Sequence, residues 1–319
     1  MSTMPWVEKY RPRSLVDVVG QKHIVDRLKV FVKEKQMPHL IFAGPAGTGK
    51  TTSAIALIRD LFGDKMKMNS TYLELNASDA RGIEVIRTLV KDFAKTKPPE
   101  GVPFKILVLD EADNMTADAQ QALRRTMENF TNNCRFILIC NYSNKLILPI
   151  QSRCAVFRFS PLTNDEIKAR VQYIANIEKA KLTEEGLNAL IYVSNGDCRR
   201  AVNYIQSCAT LDEDITQDMV YKITGKIHPS EIQEMLLMAL NRELGTSLHK
   251  LESFMREYGL SGRNIVSQAH QEVYSLDIPE RKKLEIIKIL AEIEYRLSQG
   301  GTEEVQLNAM LAKISLLSI

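Results

Sequence analysis

The chain has 319 residues, 45% of them hydrophobic and 25% charged, with a formal net charge of +3. That length accommodates two or three domains with a sizeable core, and that charge neither demands nor excludes nucleic acid. No apolar run approaches the roughly 18 residues of a membrane span, and Met1 to Trp6 lacks a signal-peptide core. Cys134, Cys140, Cys154, Cys198 and Cys208 are odd in number and include no C-x-x-C pair, so they read as reduced packing thiols rather than a disulfide framework or a zinc site. The expectation is an intracellular, soluble protein.

From the N-terminus, Trp6-Val7-Glu8-Lys9-Tyr10-Arg11-Pro12 is an aromatic and basic segment. Pro12 disfavours helix at Arg11, which predicts an extended arm laid against the fold. Trp6 and Tyr10 either pack or wall a bound base; spacing leaves both open. An amphipathic helix is expected over 23–32, and His39-Leu40-Ile41-Phe42-Ala43 reads as a short buried strand. Then comes Gly44-Pro45-Ala46-Gly47-Thr48-Gly49-Lys50-Thr51, which matches the phosphate-loop pattern G-x-x-x-x-G-K-[ST] between that strand and a helix from Thr52 to Phe62. Its glycines let successive N–H groups turn inward around a phosphate, and the following helix adds its positive dipole end. Lys50 can reach the β- and γ-phosphates, and the Thr51 hydroxyl can ligate Mg²⁺. The chain binds a nucleoside triphosphate on this reading.

Thr71 to Leu75 alternates like a strand and runs into Asn76-Ala77-Ser78-Asp79, which are turn and capping types. Between Arg81 and Lys95, Ile83, Ile86, Leu89, Val90 and Phe93 fit one helical face, with Arg87, Lys91 and Lys95 as a basic stripe off it. A stripe of this kind is either a solvated face or a phosphate-tracking one. Phe104 to Leu109 is an aliphatic run expected as a central parallel strand, and its end delivers Asp110 and Glu111 where ligands of such sheets collect. Adjacent strand residues face opposite ways, so the two carboxylates take different jobs. Asp110 holds Mg²⁺, and Glu111 orients and polarises the attacking water. A helix over 117–130 carries Leu123 and Met127 with Arg124 and Arg125 nearby. A strand over 135–140 ends in Asn141, either a ligand of water or γ-phosphate or a turn residue. Ser152-Arg153-Cys154 precedes a last strand over 155–159.

Pro161 marks a boundary. Beyond it helices are expected over 165–179, 183–193 and 197–208, the last opened by Gly196-Asp197-Cys198-Arg199-Arg200. From about Pro229 the chain is again helical. Ile286, Leu290, Ile293 and Leu297 form an apolar face, as do Leu307, Met310, Leu311, Ile314 and Leu317; such faces pack within a domain or between subunits. Neither repeats nor low-complexity segments are evident.

Together these motifs resemble the small subunits of replication factor C, clamp-loader ATPases of the AAA+ class. The residues that carry the likeness are Trp6 to Pro12, the phosphate loop, Leu75 to Asp79, Leu109 to Asp113, Ala122 to Glu128, Ser152-Arg153-Cys154, and Gly196-Asp197 with Arg199-Arg200. The Ser-Arg-Cys box is the most specific of them. The resemblance implies an α/β P-loop AAA+ ATPase domain over 1–161 with its arm over 1–20, a small helical lid domain over 162–227, and a C-terminal all-α collar domain over 228–319 that oligomerises.

By the same resemblance, Arg153 would be an arginine finger acting in trans on a neighbour's γ-phosphate, Arg199 a cis sensor in the lid, and Asn141 the sensor at its strand end. Val7, Tyr10, Arg11, Val19 and Gly20 would line the adenine pocket, with Thr52 following the loop. Arg81, Arg87, Lys91 and Arg124 would track DNA through phosphates, which shifts the reading of the basic stripe toward DNA. Phe93 would either approach the clamp or pack in the core. Cys198 departs from the family, which has a larger apolar residue there, and reads as a buried small hydrophobe. Implied partners are a large subunit, further copies of the chain, the sliding clamp and primer–template duplex, with ATP and Mg²⁺ as ligands and no membrane. By the same resemblance, the short C-terminus and missing eukaryotic extensions would make this an archaeal-type subunit, expected in the cytoplasm; a eukaryotic subunit would be nuclear. The alternative is a helicase or remodelling ATPase, suggested by Asp110-Glu111-Ala112-Asp113. Helicases with that box carry a second RecA-like domain, and no strand pattern follows Phe159 here.

Overall fold

A computed structural model describes residues 4–78, 84 and 86–317. The chain divides into two compact units, Met1–Lys181 with Leu190–Asp212, and Leu182–Ala189 with Glu213–Ile319.

The first unit is built on a five-stranded sheet of order β2-β3-β4-β1-β5, with every neighbouring pair parallel. The strands are β1 (His39–Ala43), β2 (Tyr72–Asn76), β3 (Lys105–Asp110), β4 (Cys134–Cys140) and β5 (Cys154–Arg158). The aliphatic runs of β1, β3 and β4 are explained by burial on both faces, while the edge strands β2 and β5 are only partly buried. Leu40, Phe42, Ile106, Val108, Ile137 and Ile139 join one core with the helices Lys22–Glu34 and Lys50–Phe62. The alternate residues Ile41, Ala43, Leu107, Leu109, Phe136 and Leu138 join a second core with the helix Ala117–Asn129. Period-2 alternation thus splits each strand between two layers, and the loops at the carboxyl ends of β1, β3 and β4 are left to form a site.

Local differences from the expected elements have physical causes. The arm is not extended throughout: Trp6–Lys9 forms one helical turn, which ends at Tyr10 ahead of Pro12. Ile86–Val90 is a π-turn leading into the α-helix Lys91–Lys95. Bonding from i to i+5 resets the helical phase, so Leu89 is 46% exposed while Val90 is buried; Leu89 does not belong to the apolar face. Phe93 is core. The buried Lys105 ammonium lies 4.2 Å from its ring centroid and donates to the Phe93 carbonyl and the Thr96 hydroxyl. Ile83 and Arg81 fall outside the described residues.

The helix Asn164–Glu178 starts at a capping box, Thr163 accepting from the Glu166 amide and Glu166 from the Thr163 amide. The helix Cys198–Ala209 starts at Asp197, which accepts from the Arg200 amide at 3.0 Å.

The second unit is helical, with Pro229–Leu240, Leu244–Glu257, Gly262–Val273, Glu280–Ser298 and Glu303–Ser315 around one core. Both apolar faces read from the sequence are consumed inside it. Ile286, Leu290, Ile293, Leu307, Met310, Leu311 and Ile314 are at most 1% exposed, and Leu317 packs at the margin. Any contact with another subunit therefore uses other residues. Among the described residues no helix is long and apolar enough to cross a membrane.

Candidate nucleotide site

The phosphate loop follows β1 because only its glycines tolerate the path it takes. Gly44, Gly47 and Gly49 have φ of +150°, +69° and +93°. A Cβ on Gly44 would lie 2.2 Å from the Phe159 carbonyl oxygen, and one on Gly47 1.7 Å from Asp197 Oδ1. The turn is braced by the Thr48 hydroxyl, which donates to the Pro45 carbonyl at 2.8 Å, and by the Gly44 amide, which donates to the Cys140 carbonyl at 3.2 Å. Ala46, Gly47, Thr48, Gly49, Lys50, Thr51 and Thr52 line a cleft; Gly44 and Pro45 do not.

Lys50 opens the helix Lys50–Phe62, its side chain largely buried. Its ammonium donates to the Gly44 and Pro45 carbonyls at 2.7 Å each and approaches Asn141 Oδ1 at 3.5 Å. Burial pushes its pKa down, and Asp110 opposes that. A desolvated cation whose hydrogen-bond partners among the described residues are all neutral carbonyls is a ready partner for an anion.

The two acids separate, though not by strand alternation. β3 ends at Asp110, and Glu111 takes a left-handed φ of +53°. Asp110 Oδ2 accepts from the Thr51 hydroxyl at 2.8 Å, and Oδ1 accepts from the Glu111 amide at 2.8 Å. Glu111 lines the cleft, and among the described residues its carboxylate accepts from Asn114 alone, at 3.2 Å. A hydroxyl and a carboxylate in contact are the hard oxygen donors that suit Mg²⁺, and they sit one residue from the loop's cation. The donor set fits.

Asn141 lies at the end of β4 and lines the cleft; its backbone N–H donates to Asp113 Oδ2 at 3.3 Å. Arg199 lines it from the first turn of the helix Cys198–Ala209, exposed. That helix also touches the loop directly: the Cys198 amide donates to the Gly47 carbonyl at 3.2 Å. Cys198 is half-buried and forms part of the cleft wall rather than the core, and burial holds its thiol protonated. Val7, Tyr10, Arg11 and Val19 line the cleft, as does Trp6. Gly20 does not; a Cβ there would lie 2.5 Å from Leu162, which does.

Arg153 is outside this cleft. It follows the helical turn Leu148–Gln151, 40% exposed, donates to the Pro149 carbonyl at 2.8 Å and pairs with Glu128 at 2.5 Å. Glu128 also lies 3.8 Å from the Nε of Arg124, a buried nitrogen with no hydrogen-bond partner among the described residues. Lys91 is exposed at the start of its helix, and the π-turn before it packs on Ala117–Asn129. Arg81 and the side chain of Arg87 lie outside the described residues.

Two site-shaping residues escaped the sequence reading. Gln120 is 4% exposed, donates to the Met115 and Lys145 carbonyls at 3.2 Å each, and accepts from the Ile147 amide at 2.8 Å. It ties the loop after the acids to the loop after Asn141. Its signal was available: a polar residue three before Leu123 and seven before Met127 sits on the apolar face. Glu178, which holds the arm, had no such signal.

A strand–glycine loop–helix with Lys50, Thr51, Asp110 and Glu111 converging on one cleft defines a P-loop ATPase, and the AAA family of ATPases (associated with various cellular activities) matches residues 40–162. The replication factor C C-terminal domain matches residues 227–313. Relatives called replication factor C small subunit are 52% identical in Staphylothermus marinus, over 98% of this chain and 94% of theirs. In Archaeoglobus fulgidus the figure is 50% over 98% of each, and in Methanococcus maripaludis 49% over 98% of this chain and 99% of theirs. The chain belongs to the replication factor C small subunit family of clamp-loader AAA+ ATPases. It shares its fold with a solved structure of the Thermotoga maritima RuvB Holliday junction branch migration motor, at a TM-score of 0.58 and 15% identity over 85% of this chain and 99% of that one.

Proposed function

We propose that this chain hydrolyses ATP to drive the opening of a sliding clamp and its loading onto primer–template DNA, within an assembly of a large subunit and further copies of itself. The organisation expected from the sequence goes with it: an ATPase domain over 1–161, a lid over 162–227 and a collar over 228–319. The observation that carries the reading is the division of the machinery. Lys50, Thr51, Asp110 and Glu111 meet in one cleft, while Arg153 sits outside it, paired with Glu128.

In the proposed reaction Lys50 exchanges the Gly44 and Pro45 carbonyls for phosphate oxygens, and the loop amides hold the remaining phosphate charge. Mg²⁺ bound by Thr51 and Asp110 would neutralise phosphate charge. Glu111, on its left-handed turn, orients and polarises the attacking water; Asn141 bonds the water or the γ-phosphate, and Arg199 senses the nucleotide from the lid. Arg153 leaves Glu128 for the neighbouring subunit's cleft and meets charge that develops during transfer. Val7, Tyr10, Arg11 and Val19 hold the base, with Gly20 behind them. Lys91 and Arg124, with Arg81 and Arg87, contact duplex phosphates, so binding is sequence-independent and salt-sensitive.

The test is ATPase activity of the assembled complex with clamp and primed DNA. Lys50→Ala and Arg153→Ala are each expected to abolish the stimulated rate; an unchanged rate in either overturns the assignment. Strong strand displacement with ATP and no clamp would favour a helicase instead.

A further inference from the structure

Among the described residues, Trp6, Lys9 and Tyr10 bond to the lid helices rather than to the phosphate loop. Glu178, the last residue of the helix Asn164–Glu178, accepts from the Tyr10 hydroxyl at 2.6 Å and from the Lys9 ammonium at 2.6 Å. Arg170 on the same helix donates to the Tyr10 carbonyl, and the Tyr173 ring meets Tyr10 edge-on at 6.4 Å. Gln206, on the helix that begins with Cys198 and Arg199, accepts from the Trp6 amide at 2.8 Å. Beyond Pro12 the chain changes allegiance: the Ser14 hydroxyl and Leu15 amide both donate to Asp60 on the phosphate-loop helix, at 3.1 and 2.9 Å. Pro12 thus lies between a segment bonded to the lid and one bonded to the sheet layer.

The cleft lining has two chemistries. Glycines, Lys50, Thr51 and the acids make one part; Trp6, Val7, Tyr10, Val19 and Val202 make an apolar and aromatic part suited to a planar base. Resting on the reading of this cleft as a nucleotide site, we infer that Glu178 is a positioning residue for base recognition. It clips the arm to the lid, so the arm's contacts with the base move with the lid. A carboxylate accepting from a hydroxyl and an ammonium at once is a strong clip, because hydrogen bonds to an ionised acceptor exceed neutral ones. Phosphate binding does not need it. Glu178 therefore contributes to affinity for a nucleoside triphosphate and nothing to affinity for its phosphates alone.

Trp6 is the chain's one tryptophan, so its emission reports the arm. The experiment titrates the full chain with Mg²⁺–ATP and with Mg²⁺–tripolyphosphate, following Trp6 fluorescence and heat of binding. Glu178→Ala should weaken ATP about tenfold and leave tripolyphosphate unchanged. Tyr10→Phe, which keeps the ring and deletes only the hydroxyl, should weaken ATP about threefold with the same selectivity. Equal weakening of both ligands, or unchanged ATP affinity in both variants, overturns the inference. Lys50→Ala should weaken both ligands. If it weakens neither, the phosphate-site reading falls, and the clip falls with it.

Discussion

The two units obey opposite rules. Around the cleft of the first, the backbone is forced left-handed at Gly47, Gly49 and Glu111, a lysine is buried against carbonyls, and a cleft carboxylate has one weak partner among the described residues. In the second, the helical faces close on one another until Ile286, Leu290, Ile293 and Ile314 have essentially no exposure. Groups left short of partners mark the place where a ligand completes the structure; completed faces mark scaffold. The contrast also decides between two readings that the spacing left open. An apolar 4-3-4 face looks like an invitation to another subunit, but here it is answered inside the same unit.

That contrast can be attacked from either side. The largest effect is expected in the scaffold: Leu290→Ala deletes a side chain 1% exposed in the second unit's core and should cost about 2–5 kcal/mol in the denaturant transition of that unit. Affinity for Mg²⁺–ATP should stay within about twofold, corresponding to less than about 0.5 kcal/mol. A parallel loss of nucleotide affinity would break the distinction between site and scaffold. The second expectation concerns the first unit. His39 is buried at the start of β1, its Nδ1 accepting from the Phe136 amide, and burial, with Arg135 nearby, lowers its pKa from 6.5 to about 4. Its folded pKa lies below its unfolded one, so the contribution is whole above pH 6.5 and is lost as pH falls through about 4. Over that window the first unit should lose on the order of 3 kcal/mol. The pH dependence of its melting temperature checks this, and His39→Gln should flatten the profile; an unchanged profile would sink the assignment.

Much of the site was legible because its chemistry permits few residue types. The loop glycines, Lys50, Thr51 and the two acids at the end of β3 are each required by a backbone path or a ligand, so their spacing alone located the cleft. What was missed depends on geometry that spacing does not encode. Leu89 was misplaced because a π-turn resets the phase of its helix. The arm was read as extended because Pro12 governs Arg11 and says nothing of Trp6–Lys9. Phe93 and Lys105 pair across twelve residues, and neither letter foretells the other. Glu178 lies far along the chain from Tyr10, at the C-terminal end of a helix, where the dipole disfavours an acid but names no partner for it.

The central claim is that catalysis needs a cleft from one subunit and Arg153 from another. Subunit mixing tests it most directly. Lys50→Ala and Arg153→Ala proteins should each be inactive when assembled alone, since a trans arginine is worth about 10³–10⁵ in rate. Co-assembled, they recreate intact interfaces wherever an Arg153→Ala cleft meets a Lys50→Ala neighbour. The account predicts recovery of clamp- and DNA-stimulated ATPase activity in the mixture. No recovery in a mixture shown to co-assemble would contradict it.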